Sequence, residues 1–284
     1  LLGVAASLWA LFGSGGRDDT VTIGAKGFSE QYILARLIGQ RLEGEGYDVE
    51  YRDGLGSAVA HSAVTSGEID VLVDYTGTIW TNQMKRSDNP DRDTMLAEIS
   101  AWESETSGAR VLGRVGFENA YGLALRTELA EARGITSIED LSRASRQMTI
   151  GGDPEFFERP EWIAVRDAYG LNFARQRNFT STFMYDALTG GEADVISAYT
   201  SDGRVAADKL IILEDTKGAF PSYDALLMVS PEASQDARLI EALKPVIGAI
   251  SVDAMREANF AVDRLDNKKS PREAAEQLAQ KIGL

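Results

Sequence analysis

From Thr20 onward, short apolar segments alternate with longer segments whose apolar residues recur at helical spacing. Val21–Gly24 and Ile69–Tyr75 are short apolar runs that predict strands, and Tyr47–Tyr51 alternates as a half-buried strand does. Phe28–Leu42 carries apolar residues three and four positions apart, and Ala58–Ser66 also predicts a helix. Because strands and helices alternate in this way, we expect an α/β fold with mainly parallel sheets and flanking helices.

An internal repeat predicts that the chain folds into two similar lobes. Ala63–Thr76 aligns without gaps on Ala187–Thr200, with eight of 14 positions identical at a constant spacing of 124 residues. Each copy ends in a strand that carries a tyrosine, Tyr75 or Tyr199, near its carboxyl end. Ligands of open α/β sheets bind beyond the carboxyl ends of the strands, so two such edges facing each other predict a cleft between the lobes.

Two further segments predict where the chain crosses between the lobes. Ala120–Leu125 and Ser222–Val229 each place a tyrosine, Tyr121 or Tyr223, immediately before an apolar strand. The first precedes the second copy of the repeat and the other follows it, so we interpret them as two hinge strands. A cleft with hinges of this kind closes on its ligand.

These crossings predict the division of the chain. Lobe one comprises residues 20–122 and 225–284, and lobe two with the hinge comprises residues 123–224. The tail, Asp236–Leu284, is predicted to be helical throughout, with a break near Asn267–Pro271, where Ser-Pro is typical of a helix start.

Residues 1–19 are predicted to lie outside the folded lobes. Leu1–Phe12 is apolar and Gly13–Asp19 is a polar, glycine-rich linker. Twelve apolar residues are too few to span a bilayer, so the segment is a signal-peptide remnant or the end of a transmembrane helix of a larger polypeptide. Both alternatives place the rest of the chain outside the cytoplasm, and a transmembrane helix would also tether it to the membrane. A short buried helix is a third alternative for this segment. No later stretch is long enough to cross a membrane.

Composition excludes several kinds of chemistry. The 284 residues include no Cys and one His, and the formal net charge is −15. Thiolate nucleophiles, disulfides and cysteine metal sites are therefore excluded, and the acidic charge argues against nucleic acid. His61 lies among small residues with no apparent orienting partner, so we expect a neutral packed or surface side chain. No nucleotide-binding glycine motif is present.

Four tyrosines are predicted to converge on the cleft: Tyr75, Tyr121, Tyr199 and Tyr223. Each tyrosine alone is adequately explained as a residue that stabilises a strand and whose hydroxyl forms a hydrogen bond within the protein. Together they would form an aromatic cage, whose ring faces attract a cation without donating a hydrogen bond. Such a cage suits a quaternary ammonium group, which has no N–H to donate.

The chain resembles a known family through five motifs that occur in order. These are Gly24–Ile33, Gly67–Asp70, Asp74–Thr78, Gly152–Phe156 with Arg159–Pro160, and Ala198–Arg204. Together they resemble the glycine betaine/choline-binding proteins of osmoprotectant ABC transporters, which have the type II periplasmic-binding fold. The resemblance covers about residues 20–284.

The resemblance implies a role for individual residues. It implies that the four tyrosines hold a trimethylammonium head and that Lys26, Thr78 and Arg159 hold a carboxylate. The alternatives are a solvated lysine, a turn threonine and a surface ion pair of the arginine. Asn119 stands where some members carry an aspartate near the cage, which leaves the identity of the ligand open.

The leading hypothesis is therefore an extracytoplasmic, non-enzymatic receptor that delivers glycine betaine or a related betaine to an ABC permease. The same cage could take choline, carnitine or ergothioneine, and the chain could be a domain fused to the permease. An enzyme or an effector domain on the same fold is less well supported. We expect no metal and no cofactor. Four carboxylates next to the tyrosines are interpreted as turn caps or solvated loop residues: Asp74, Glu118, Asp202 and Asp224.

Overall fold

The chain forms two five-stranded sheets in a computed structural model that describes residues 19–153 and 156–284, apart from the side chains of Ser181 and Thr182. The segment predicted as a signal-peptide or transmembrane-helix remnant with its linker, residues 1–19, lies outside the described residues except for Asp19. None of the helices in the described ranges is long and apolar enough to span a membrane.

The first sheet has the strand order β2-β1-β3-β10-β4. Its strands are β1 (Thr20–Lys26), β2 (Asp48–Leu55), β3 (Val71–Tyr75), β4 (Arg110–Glu118) and β10 (Asp224–Val229). Strand β1 pairs in parallel with β2 and β3, whereas β10 runs antiparallel to β3 and β4.

The second sheet repeats this topology in the order β7-β6-β8-β5-β9. Its strands are β5 (Tyr121–Arg126), β6 (Thr149–Gly152), β7 (Arg175–Asn178), β8 (Val195–Tyr199) and β9 (Leu210–Ile212). Strand β6 pairs in parallel with β7 and β8, and β5 is antiparallel to β8 and β9.

The predicted α/β fold with two mainly parallel sheets and flanking helices is confirmed, with one difference: each sheet is mixed, because one strand, β10 or β5, runs opposite to the other four. The difference comes from β5 and β10, the strands that follow the two crossings between lobes. The chain enters each of them at the cleft edge, where the parallel strands end, so these strands must run in the opposite direction. The alternation of strands and helices along the sequence carries no information about that direction.

Twelve α-helical segments flank the sheets within the described ranges. They are α1 (Ser29–Gly44), α2 (Ser57–Ser66), α3 (Thr76–Thr78), α4 (Arg92–Thr106), α5 (Thr127–Arg133), α6 (Ile138–Ala144), α7 (Pro160–Tyr169), α8 (Ser181–Thr189), α9 (Arg204–Ala207), α10 (Ala237–Leu243), α11 (Val252–Asp263) and α12 (Pro271–Ile282). A π-helical turn, Ile79–Gln83, continues α3.

The tail consists of three helices, so the prediction of a continuous helix with one break is wrong. The predicted break precedes α12, which begins with a capping box between Ser270 and Glu273 and with a proline in its first turn. A second break follows α10. Pro245 lies in a short 3₁₀ turn there, and Gly248 adopts a left-handed φ of 72°, which a helix cannot contain.

The internal repeat corresponds to a shared local structure in the two lobes. Asp70 accepts a hydrogen bond from the backbone N–H of Thr22 at 2.8 Å, and Asp194 accepts one from Thr149 at the same distance. Each aspartate thereby ties the start of one central strand to the entry of the next. The following strands, β3 and β8, then end at equivalent places with Tyr75 and Tyr199.

Each sheet is covered on both faces by apolar clusters. In the first sheet, Ile23 and Leu227 face one cluster, while Leu72 and Leu226 face the other. The chain passes between the sheets at 119–120 and again at 213–223. The exact lobe boundaries, 20–122 with 225–284 and 123–224, remain a prediction. Every strand of each sheet falls on the expected side of them, apart from the first two residues of β5, Tyr121 and Gly122, and the first residue of β10, Asp224.

Candidate functional site

One cavity of about 600 Å³ lies between the two lobes, at the edge where the parallel strands end. The structure brings all the predicted ligand-binding residues to the lining of this cavity: Lys26, Tyr75, Thr78, Asn119, Tyr121, Arg159, Tyr199 and Tyr223. The cavity is within the size range of small-molecule sites.

Strand ends place the four tyrosines. Tyr75 and Tyr199 are the last residues of β3 and β8, Tyr121 is the first residue of β5, and Tyr223 directly precedes β10. Tyr121 and Tyr199 are paired across the antiparallel β5–β8 ladder, and Tyr75 is paired with Ala225 across β3 and β10. The fold therefore contributes two rings from each side of the cleft.

The rings of Tyr121 and Tyr199 form a contiguous aromatic surface in lobe two. Their centroids lie 5.0 Å apart with an interplanar angle of 35°, and their hydroxyls are 3.2 Å apart. Phe156 packs behind Tyr121 at 5.3 Å. Burial raises the pKa of Tyr121 far above its ordinary value of 10, with a further contribution from Tyr199, so the phenol stays neutral.

Tyr223 connects the two lobes. Its hydroxyl donates a hydrogen bond to Oε1 of Glu161 in α7 at 2.8 Å. Its ring packs so closely on Gly77 that a Cβ there would lie 2.5 Å from Cζ of the ring. Burial, followed by the negative charge of Glu161, raises the pKa of Tyr223, which keeps its hydroxyl a donor.

Tyr75 is held by a buried polar group that the sequence did not identify. Its hydroxyl donates to Oε1 of Glu30 at 2.6 Å and accepts from Nε2 of Gln31 at 3.0 Å. Glu30 also accepts from Asn119 at 3.1 Å and from Asn259 at 2.9 Å. Burial raises the pKa of Glu30 above its ordinary value, against the lowering effect of these hydrogen bonds.

Lys26 lies at the cavity, but its ammonium group has an acidic partner inside the protein. It forms a buried ion pair with Asp74, and its Nζ lies 5.2 Å from the centroid of the Tyr75 ring. Asp74 also accepts a hydrogen bond from the backbone N–H of Tyr75 at 2.7 Å. The interpretation of Asp74 as a turn cap or solvated residue is therefore wrong, and the charge of Lys26 is already balanced.

The other three carboxylates beside the tyrosines differ in their surroundings. Asp224 is buried and forms ion pairs with Arg92 and Arg114, so it is not a solvated loop residue. Asp202 accepts from the backbone N–H of Arg204 at 2.9 Å, as a turn cap does. Glu118 is half-buried, and desolvation raises its pKa. The sequence could not distinguish these cases because burial depends on tertiary packing.

Arg159 and Thr78 lie on opposite sides of the cleft. Arg159 is the N-cap residue of α7, and its guanidinium carbon lies 5.5 Å from the centroid of the Tyr121 ring. Thr78 is the last residue of α3, directly after the strand that carries Tyr75. Both are positioned where a ligand in contact with the tyrosines could reach a second group, but their role with a carboxylate stays a prediction.

Asn119 and Glu161 give the cavity acceptor atoms. Nδ2 of Asn119 donates to Glu30, while its Oδ1 is buried and has no hydrogen-bond partner among residues 19–153 and 156–284. Glu161 was not predicted, although it directly follows the Arg159–Pro160 motif. Phe28, which packs 6.3 Å from Tyr75, also lines the cavity and was also missed.

His61 lies outside the cavity. The expectation of a packed side chain holds, since it is 7% exposed, but the expectation that it has no partner is wrong. Its Nε2 lies 2.7 Å from Oε1 of Glu103, a fully buried residue of α4. Within the part of the chain that the structure describes, no cluster of three His, Cys, Asp or Glu residues could hold a metal ion.

The two mixed sheets, the two crossings and the aromatic cleft define a two-lobed protein of the periplasmic-binding class. Residues 19–281 match the family described as the substrate binding domain of ABC-type glycine betaine transport systems, and the chain belongs to this family. The family is one of transport proteins rather than enzymes. The resemblance drawn from the five motifs is thereby confirmed.

Individual proteins show how close the similarity is. A glycine-betaine-binding protein of Pseudomonas aeruginosa is 33% identical over 89% of this chain and 86% of that protein. An ergothioneine transport permease/ergothioneine binding protein of Helicobacter pylori is 27% identical over 99% of this chain, which spans 51% of that protein. A crystal structure described as a glycine betaine/carnitine/choline ABC transporter superposes with a TM-score of 0.86 at 26% identity, covering 92% of this chain and 98% of the other.

Proposed function

We propose that this chain is the extracytoplasmic solute-binding component of an ABC importer and that it captures a quaternary-ammonium compatible solute, glycine betaine or a related betaine. The observation that carries the proposal is the convergence of Tyr75, Tyr121, Tyr199 and Tyr223 on one cavity from both lobes. Neutral phenol rings attract a cation through their faces. The charge of a trimethylammonium group is dispersed, so removing water from it costs little free energy.

The carboxylate of a betaine would be held by Arg159 and Thr78. A guanidinium supplies charge-assisted donors and a threonine hydroxyl supplies a neutral one. Lys26 contributes less in this proposal than the resemblance implied, because Asp74 already neutralises it. The lobes would close on the zwitterion with its cation against the tyrosines and its carboxylate against Arg159.

The proposed partner is an ABC permease, as a separate subunit or as a domain of the same polypeptide. The Helicobacter relative, which is named as both a permease and a binding protein, supports the second arrangement. Choline, carnitine and ergothioneine are alternative ligands of the same cage, since each carries a trimethylammonium group.

Isothermal titration calorimetry with glycine betaine tests the proposal. The double variant Tyr75→Ala, Tyr199→Ala should lose at least about fivefold in affinity, since each ring contributes roughly 0.5–2 kcal/mol to holding the cation. Tyr199→Phe keeps the ring and is the matched control, so it should bind within a few-fold of the wild type. Wild-type affinity in the double variant would contradict the proposal.

A further inference from the structure

Glu161 is a buried carboxylate in the wall of the cavity. It is the second residue of α7 and is 8% exposed. One of its oxygens, Oε1, accepts the hydrogen bond from the hydroxyl of Tyr223 at 2.8 Å. The other, Oε2, is buried and has no hydrogen-bond partner among the residues that the structure describes.

The surroundings of Glu161 keep this oxygen an acceptor. The N-terminus of a helix stabilises a negative charge, so the first turn of α7 is a favourable place for an ionised carboxylate. Tyr223 occupies Oε1 as a donor and leaves Oε2 for another group. A buried acceptor without a donor costs free energy, and such atoms in folded proteins are usually satisfied by a ligand or an ordered water.

The cavity therefore has acceptors that glycine betaine cannot satisfy. Oδ1 of Asn119, also in the lining, is a second buried acceptor whose partner is not found in the described ranges. Glycine betaine has a trimethylammonium group and a carboxylate, and neither donates a hydrogen bond. A ligand with a hydroxyl group near its cationic end could donate to Glu161 while its trimethylammonium group stays against the tyrosine rings.

We propose that Glu161 is a specificity-determining residue that accepts a hydrogen bond from a ligand hydroxyl, so that the site prefers a hydroxylated trimethylammonium compound to the same compound without the hydroxyl. This inference rests on the proposed function, because it assumes that the tyrosines hold the cationic head. A site built to bond a ligand hydroxyl rejects the analogue that lacks it more strongly than an apolar pocket rejects a missing methylene.

The test compares two ligands that differ by one hydroxyl. Carnitine and γ-butyrobetaine carry the same charges and the same chain length, and only carnitine has the hydroxyl. We expect the wild-type protein to bind carnitine about tenfold or more tightly in calorimetry. In Glu161→Ala the two affinities should come within about twofold of each other. Choline and its O-methyl ether form a second pair with the same expectation.

Tyr223→Phe separates this role from a purely structural one. If Glu161 only orients Tyr223, Glu161→Ala and Tyr223→Phe will weaken both ligands of a pair equally and leave their ratio unchanged, which overturns the proposal. If Glu161 accepts the ligand hydroxyl, Tyr223→Phe will keep the preference for carnitine. Glu161→Gln, which preserves the size of the side chain, replaces Glu161→Ala if the latter does not fold, and is expected to reduce the ratio.

The wild-type comparison alone can also overturn the proposal. Equal binding of carnitine and γ-butyrobetaine, with measurable affinity for both, would refute the role of Glu161 and leave the proposed function intact. If the protein bound no trimethylammonium compound, glycine betaine included, both the role of Glu161 and the proposed function would be overturned.

Discussion

The ring of Tyr223 lies directly against Gly77, with no room for a side chain between them. A Cβ on Gly77 would come within 2.5 Å of Cζ and 2.6 Å of Cε2 of the ring. Gly77 belongs to Tyr75–Thr78, the segment that carries two other lining residues, Tyr75 and Thr78. The absence of a side chain at Gly77 therefore determines how closely the ring of Tyr223 approaches Tyr75 and Thr78.

Gly77→Ala should displace the ring of Tyr223 and weaken binding of glycine betaine by about tenfold, because a ring shifted by even an ångström loses much of its contact with the cation. Calorimetry measures the loss. Gly44→Ala is the matched control, since a Cβ there meets nothing within 4 Å, and it should bind as the wild type does. If Gly77→Ala and Gly44→Ala bound glycine betaine with equal affinity, the position of the Tyr223 ring would be unimportant for binding.

Lys26→Met should destabilise the protein more than it weakens binding. It leaves Asp74 buried without its cation, and breaking a buried pair costs about 3–5 kcal/mol of the free energy of unfolding. The double variant Lys26→Met, Asp74→Asn removes both charges and should recover part of that loss. Urea unfolding measures the stabilities. A stable Lys26→Met variant that had lost affinity for glycine betaine would instead assign Lys26 to the ligand's carboxylate.

Glu30 should make stability depend on pH. Burial raises the pKa of Glu30 above its ordinary value of 4.5, so the folded state keeps a proton that the unfolded chain has already released. As pH rises from about 4.5 through the raised pKa, the contribution of Glu30 to the free energy of unfolding falls. Below 4.5, both states are protonated and the contribution is constant.

Glu30→Gln isolates this effect from other carboxylates. The glutamine is neutral at every pH and still offers an oxygen to Tyr75. Relative to Glu30→Gln, the wild type should lose stability as pH rises from 4.5 towards neutrality, as measured by urea unfolding at a series of pH values. Contributions of Glu118 and Asp70, whose pKa values burial also raises, cancel in the difference. If the free energy of unfolding of the wild type, minus that of Glu30→Gln, stayed constant or grew as pH rises, the expected direction would be contradicted.

The sequence predicted the parts of the molecule that depend on local pattern. The repeat placed Tyr75 and Tyr199 at equivalent strand ends, and the crossings placed Tyr121 and Tyr223 at the starts of the returning strands. Both inferences start from the spacing of apolar residues, which predicts individual strands and helices. They then use the rule that ligand sites of open α/β sheets lie at the ends of the strands. They were sufficient to bring the four rings to one cavity.

The sequence could not predict the contacts that arise between distant segments. Glu30 meets Asn259 across 229 positions of the chain, and Lys26 meets Asp74 across 48. Nothing in the pattern around Glu161 indicates that its side chain crosses the cleft to Tyr223. The antiparallel direction of β10 likewise depends on where the chain re-enters the lobe rather than on the residues of the strand itself.

Helix α11 forms a contact between the lobes that is separate from the two hinges. Nε of Arg256 donates to the backbone carbonyl of Thr200 at 2.7 Å, and Nδ2 of Asn259 donates to that of Ser201 at 2.9 Å. Gly203 packs against the same helix, where a Cβ would lie 2.5 Å from the backbone nitrogen of Phe260. These contacts directly follow Tyr199, so they hold one wall of the cavity against lobe one.

Gly203→Ala should separate lobe two from α11 and shift the protein towards an open form. Its backbone φ of −64° is compatible with alanine, so steric contact with α11 is the expected cause of any effect. We expect an increased radius of gyration in small-angle X-ray scattering without ligand and a several-fold lower affinity for glycine betaine, because closure must then be driven by the ligand. Gly44→Ala again serves as the control. Scattering and affinity both equal to those of the control would show that α11 does not influence closure.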